Sequence, residues 1–174
     1  MKGFEGIIAD SHAFLHKICL AYTSSREDYE DLYQEILVQV WQSLHRFKGE
    51  SKLSTWVYRV ALNSAIVFRR KQGKEAVGFL GAEKVPVTPL YEPTSKSEAI
   101  ASDNRQLSDL SLMMESIREL ALTDRSVLLL HLEEYSNKEI AEFMGINAKA
   151  VGVRISRAKK KLRVIMLNRG YGND

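Results

Sequence analysis

The sequence predicts an all-α fold: two small helical domains joined by a flexible linker, the C-terminal one a four-helix domain with a helix-turn-helix. Three observations carry this. Apolar residues recur at helical spacing on both sides of the chain, as in Leu32, Ile36, Val40 and Leu44, or Leu107, Leu110, Met114, Ile117 and Ala121. No segment alternates apolar and polar residues between turn signals, as a half-buried strand would. All three prolines, Pro86, Pro89 and Pro93, fall in one window just after Gly73, Gly78 and Gly81, in a stretch without periodicity. The 174 residues therefore divide into a domain over 1–72, a linker over 73–104 and a domain over 105–170.

In the first domain, Phe14, Leu15, Ile18, Cys19 and Tyr22 give one helix a buried face. A loop follows at Thr23-Ser24-Ser25, where Ser24 and Glu27 have capping-box spacing. The next helix is expected from about Asp28 to Leu44, with Asp31, Gln34, Glu35, Gln39 and Gln42 at outer or lateral positions. Phe47 to Ser51 breaks the period and reads as a loop. A third helix, from about Ser54 to Lys71, begins aromatic with Trp56 and Tyr58 and ends basic with Arg69-Arg70-Lys71.

In the second domain, Thr123 is placed to cap a helix over Asp124 to Glu134 that is apolar nearly all round from Val127 to Leu130. Ser136 and Glu139 then have capping-box spacing, and Gly145 suits the left-handed position that ends a helix. Asn147 can cap the last helix, where Val151, Ile155, Ala158 and Leu162 form one apolar stripe. Lys149, Arg154, Arg157, Lys160 and Lys161 flank or oppose that stripe, and no acidic residue occurs from Ala148 to Arg169. Two helices about a glycine turn, the second apolar inside and basic outside, describe a helix-turn-helix with a DNA-recognition helix. The plainer reading is a helical hairpin with a solvated basic face.

Both halves together resemble the extracytoplasmic-function sigma factors, the smallest class of bacterial transcription initiation factors. The residues that carry the resemblance are Asp31-Leu32-Tyr33-Gln34-Glu35-Ile36 through Trp41, Arg46 to Ser51, Ser54 to Asn63, Glu139 to Glu142, and Val151 to Leu162. The resemblance implies that Asp31, Gln34 and Glu35 dock on core RNA polymerase; alone, they would read more readily as a solvated helix face. It implies that the Phe47–Ser54 loop and the following helix open and read the minus-ten promoter element. Trapping an unstacked base needs aromatic faces beside cations. Phe47, Trp56, Tyr58, Arg59 and Asn63 have that chemistry, and Lys48 and Lys52 suit the phosphates, although Trp56 serves a helical core equally well. Arg69 and Arg70 suit a sequence-independent phosphate clamp.

The last helix would read the minus-thirty-five element through Lys149, Val153, Arg154, Arg157 and Lys160. The chain departs from the common family text at Ala121, where a proline is usual, and at Gly152-Val153, which replace a Lys-Ser pair. Those departures bear on the target sequence, since a valine can touch a thymine methyl but cannot hydrogen-bond a base. The implied partners are core RNA polymerase and promoter DNA, and the family also admits an anti-sigma factor that clamps the two domains.

Other function classes find little support. The net charge of +3 is modest, so attraction to polyanions must come from local clusters. The single cysteine, Cys19, excludes an internal disulfide and suits a reducing, cytoplasmic setting. Lys2, Glu5, Asp10 and Lys17 interrupt the first apolar residues, so neither a secretory leader nor membrane insertion is expected. His12, His16 and Cys19 share a helix face but lack a fourth ligand, so no metal site is expected. No phosphate-binding glycine loop, nucleophile elbow or paired-carboxylate motif appears, so neither catalytic residues nor a cofactor is expected. The competing reading is a helix-turn-helix repressor or activator with an N-terminal sensor or dimerisation domain.

Overall fold

A computed structural model of the chain describes residues 3–73 and 104–170, with side chains from 111 onward in the second segment. Seven α-helices and one short turn of 3₁₀ helix make up the described residues. The first segment holds α1 (Phe4–Tyr22), α2 (Arg26–Ser43), the 3₁₀ turn Leu44–Arg46 and α3 (Leu53–Lys71). The second holds α4 (Asn104–Arg118), α5 (Leu122–Leu132), α6 (Asn137–Met144) and α7 (Ala148–Asn168). The expected linker falls largely outside the described residues, as do the side chains of Leu107 and Leu110.

Local chemistry sets most helix ends. Ser136 accepts from the Glu139 amide while the Glu139 carboxylate accepts from the Ser136 amide, a complete capping box that starts α6. Gly145 ends α6 at φ 63°, ψ 34°, where a side chain would be strained. The Asn147 side chain accepts from the Lys149 amide and starts α7.

Two expected caps move. At α2 the cap is Ser25, accepting from Asp28, rather than Ser24. α5 begins one residue before Thr123, with Ala121 at the cap and no side-chain bond, so Thr123 caps nothing. The helix instead gains an acidic residue, Asp124, in its first turn, where it meets the positive end of the helix dipole.

In the first segment α3 packs against both α1 and α2. Leu15, Ile18, Leu32, Ile36, Val57, Ala61 and Leu62 are fully removed from solvent between them. Gln39 is buried, not lateral as its polarity suggested; its amide donates to Glu35 Oε1 at 3.0 Å, which offsets its loss of water. In the second segment α7 packs on α5, α6 and α4 around Val127, Leu130, Ile140, Met144, Val151 and Ala158. Arg169, just past α7, reaches back to Glu115 at 2.9 Å and to Glu119.

The two segments are in contact. α1 packs on α4, Tyr22 Oη and Ser126 Oγ share a buried hydrogen bond of 2.8 Å, and the Arg125 guanidinium lies 5.0 Å from the Tyr22 ring. Arg118 donates to the Thr23 carbonyl, and Lys17 pairs with Glu133 at 2.7 Å. Tyr58 is buried at this seam, with the rings of Phe14, Tyr135 and Phe143 centred 5.2, 5.7 and 6.2 Å away. That removes Tyr58 from the set of side chains free to trap a base.

Candidate protein and nucleic-acid interfaces

Three surfaces gather the residues singled out in the sequence. The first is a groove of about 550 Å³ between α2 and α3. Asp31, Gln34 and Glu35 line it together with the apolar side chains of Leu37, Val38 and Phe68. Helical geometry explains the grouping: residues 31, 34, 35 and 38 repeat at three and four and so share one face. Trp41, seven residues beyond Gln34, continues that face and is 65% exposed, more than a tryptophan with a packing role would be. Trp41 belongs to the segment that carries the family resemblance but was given no docking role, although its position seven after Gln34 places it on this face. At the far end Gln72 donates to Asp28 at 2.6 Å, tying the end of α3 to the start of α2. An apolar floor with acidic and amide groups is the surface an amphipathic basic helix would fill.

The second surface is the loop from Phe47 to Lys52 with the adjoining face of α3. Gly49 takes φ 77° in this loop, a turn that a side chain would oppose. Lys48 and Lys52 are exposed, and Phe47 and Trp56 are half-buried with rings 5.5 Å apart. Trp56 thus packs on the core with one part and leaves another accessible, which accommodates both readings of it. Asn63, Arg69 and Arg70 are half-buried and Lys71 is exposed. Arg59 is held at the seam, its guanidinium 5.1 Å from the Phe143 ring centre.

The third surface is α7. Lys149, Lys160 and Val153 face solvent, Val153 at 67% exposure. Gly152 sits in ordinary helical conformation, and a β-carbon there would meet only Asn137 Nδ2 at 3.6 Å. The backbone therefore does not require glycine at 152. Arg154 and Arg157 do not stand free: both donate to Asp124 of α5, at 3.2 Å and 2.9 Å. That bond holds the Arg157 guanidinium above its usual pKa, so it stays charged. Asp124 escaped sequence reading because its partners lie thirty or more residues away, at no recognisable spacing.

Elsewhere titratable groups are occupied by packing. His16 Nδ1 lies 2.7 Å from Tyr29 Oη, and burial followed by the charge of His12 lowers its pKa. Cys19 is buried, which pushes its thiol up to about 12. Among the described residues no helix is long and apolar enough to cross a membrane.

Comparison with known proteins places both halves. Residues 7–75 match the family described as Sigma-70 region 2, and residues 110–162 match Sigma-70, region 4. The ECF RNA polymerase sigma-E factor of Haemophilus influenzae is 30% identical over 145 residues, covering 79% of this chain and 74% of that protein. The chain belongs to the extracytoplasmic-function sigma factors. It is also 28% identical to the ECF RNA polymerase sigma factor SigG of Mycobacterium tuberculosis over 84% of its own length, but it spans only 44% of that longer relative. Its fold matches the sigma factor RpoE of Bartonella quintana, solved in complex with the anti-sigma factor NepR. The TM-score is 0.66 at 18% identity, covering 95% of this chain and 98% of the other. Within this family the groove on α2 and α3 lies in region 2, and the helix-turn-helix of α6 and α7 lies in region 4.

Proposed function

We propose that this sigma factor binds core RNA polymerase, directs it to particular promoters and assists melting of their DNA. The observation that carries the proposal is that one chain holds both surfaces in family order: an acidic, apolar-floored groove in region 2 and a basic recognition helix in region 4. Asp31, Gln34 and Glu35, with Trp41 beside them, form the polymerase-docking face. Complementary charge would orient a basic partner helix there, and the apolar floor would supply contact area. Lys48, Lys52, Trp56, Arg59 and Asn63 engage the minus-ten element, with Arg69 and Arg70 on phosphates. α7 enters the major groove at the minus-thirty-five element, where Lys149 and Val153 near the helix start reach base edges and Arg154, Arg157 and Lys160 serve the backbone.

The working domains are residues 1–72 and 105–170, with 73–104 as the tether. The chain itself performs no chemistry; phosphodiester formation belongs to the polymerase, and the protein works in the cytoplasm where that enzyme is. An anti-sigma factor is a further partner of this fold, as the RpoE–NepR complex illustrates for its own chain.

The deciding experiment mixes the purified chain with core polymerase and maps transcript starts on promoter libraries. Specific starts that require the chain support the proposal. A chain that binds duplex DNA alone and forms no polymerase complex would instead be a helix-turn-helix repressor or activator.

A further inference from the structure

Asp124 is the third residue of α5, and its side chain is only 1% exposed. Its Oδ1 accepts from Arg154 Nη1 at 3.2 Å. A single nitrogen of Arg157, Nη2, donates to both carboxylate oxygens, at 2.9 Å and 3.1 Å. Arg154 and Arg157 belong to α7 and keep 34% and 53% of their side chains in solvent.

A carboxylate this buried is tolerated only when paired and hydrogen-bonded, and two guanidinium groups meet that need. Each guanidinium carries five donors in a rigid plane. Asp124 takes one nitrogen from each, so the rest of each fork can serve an outside acceptor, its plane already oriented. A planar fork held in this way matches a phosphate, and orientation fixed before contact removes part of the entropy cost of binding. The same carboxylate cancels one of the two positive charges, which weakens sequence-independent attraction to DNA in every register and leaves more of the discrimination to oriented contacts.

We propose that Asp124 is a positioning residue of the DNA interface: it sets the Arg154 and Arg157 forks for phosphate and thereby fixes the register in which Lys149 and Val153 meet the bases. This rests on α7 being the groove-reading helix. It assigns the two arginines to the backbone and gives a buried residue of another helix a share in specificity.

The test uses the full chain with core polymerase. Duplexes retained by the wild type are enriched from a randomised pool, and their affinity is compared with scrambled duplexes across a salt series. Asp124→Asn keeps the shape and removes the charge. Its ratio of selected to scrambled affinity should fall about tenfold, because the register is no longer set. Its salt slope should steepen by roughly 0.9, because one more cation is available to neutralise phosphate. Asp124→Glu should recover most of the ratio.

A mere staple between α5 and α7 behaves differently. It lowers the thermal transition, weakens selected and scrambled duplexes by the same factor and leaves the slope unchanged. That result, or a ratio unmoved in both variants, overturns the proposal. If the wild type enriches no sequence at all, the assignment of α7 as reader fails, and the positioning role falls with it.

Discussion

The two halves must separate to work as proposed, and the contact between them shows how to test that. Promoter elements centred at minus ten and minus thirty-five lie about 25 base pairs apart, or roughly 85 Å along the duplex at about 3.4 Å per step. Two packed domains of about 70 residues each, with radii of gyration near 11 Å, have centres only about 30 Å apart. A chain of about thirty residues, the length of 74–103, spans at most about 100 Å and so bridges the gap only when the halves part. Closing also places Phe143 over Arg59 and Tyr135 against Thr55, at 5.1 Å and 3.4 Å, on the side of α3 proposed for the minus-ten element.

Lys17→Glu is the chosen perturbation. It destroys the 2.7 Å pair with Glu133, whose side chains are 33% and 22% exposed, and sets two like charges together. Loss of such a pair and the repulsion that replaces it are each worth about 1 kcal/mol, together about thirtyfold in the closed-to-open ratio. Small-angle scattering should show a radius of gyration near 16 Å for the closed wild type, rising toward roughly 25 Å in the variant. The exchanged pair, Lys17→Glu with Glu133→Lys, should compact again. A wild type already expanded in solution, or an exchange that fails to restore compaction, refutes the closed arrangement as the resting state.

Three further outcomes are expected. Glu35→Arg reverses charge at the rim of the α2–α3 groove, so it should weaken capture of core polymerase about tenfold or more with the chain still folded, at a stability cost of about 1–3 kcal/mol because the buried Gln39 amide loses its acceptor. Unchanged capture in a pull-down titration would remove the groove from the docking face. Gly152→Ala should stabilise the chain by about 0.5–1 kcal/mol in a denaturant titration, since the site is helical and a β-carbon there meets nothing closer than 3.6 Å. Destabilisation would mean that α7 is less regular than described. His16 has a folded pKa lowered from 6.5 by burial and then by His12, so the unfolded state binds the proton more readily. The chain should therefore hold this stability above pH 6.5 and lose it as the pH falls, and His16→Gln should flatten that loss in thermal melts at pH 5 to 7.

Much of the fold was legible because its signals are local. The Ser136 capping box, the Gly145 turn and the Asn147 cap each lie within four residues of what they control, and each stands where the spacing put it. Adjacent serines defeated the same reasoning at α2: Ser24 and Ser25 are alike chemically, and only the backbone path selects the second. At α5 Thr123 has the right side chain, but the helix had already begun at Leu122, and Ala121 holds the cap position without a side-chain bond. Gln39 bonds Glu35 one turn earlier on α2, a spacing the sequence contains; its burial was not legible, because that depends on what the rest of the fold lays against α2. Tyr58 shows the same limit more sharply. Its aromatic ring suited a base, and what withdraws it is Tyr135 and Phe143 from the other half of the chain. The proposed docking residues were legible as a face, whereas the apolar floor that makes the face a groove required α3 to be placed beside α2.

The modest net charge acquires a reason once these contacts are assembled. A chain of +3 that carries a basic recognition helix could still bind DNA indiscriminately if every cation on it were free. Here Asp124 takes up one charge of the Arg154–Arg157 cluster, and Phe143 holds Arg59 at the seam between the halves. The acidic residues at the groove further offset the basic clusters at long range. Each feature lowers affinity for DNA in the free chain, and two of them have a counterpart that relieves the effect in a complex. A basic partner on Asp31 and Glu35 would neutralise the acidic face, and parting of the halves would free Arg59. On this reasoning, the free chain should bind DNA weakly because of where its charges are paired. The gain in affinity on adding core polymerase should then be steepest at low salt, where those charges are least screened.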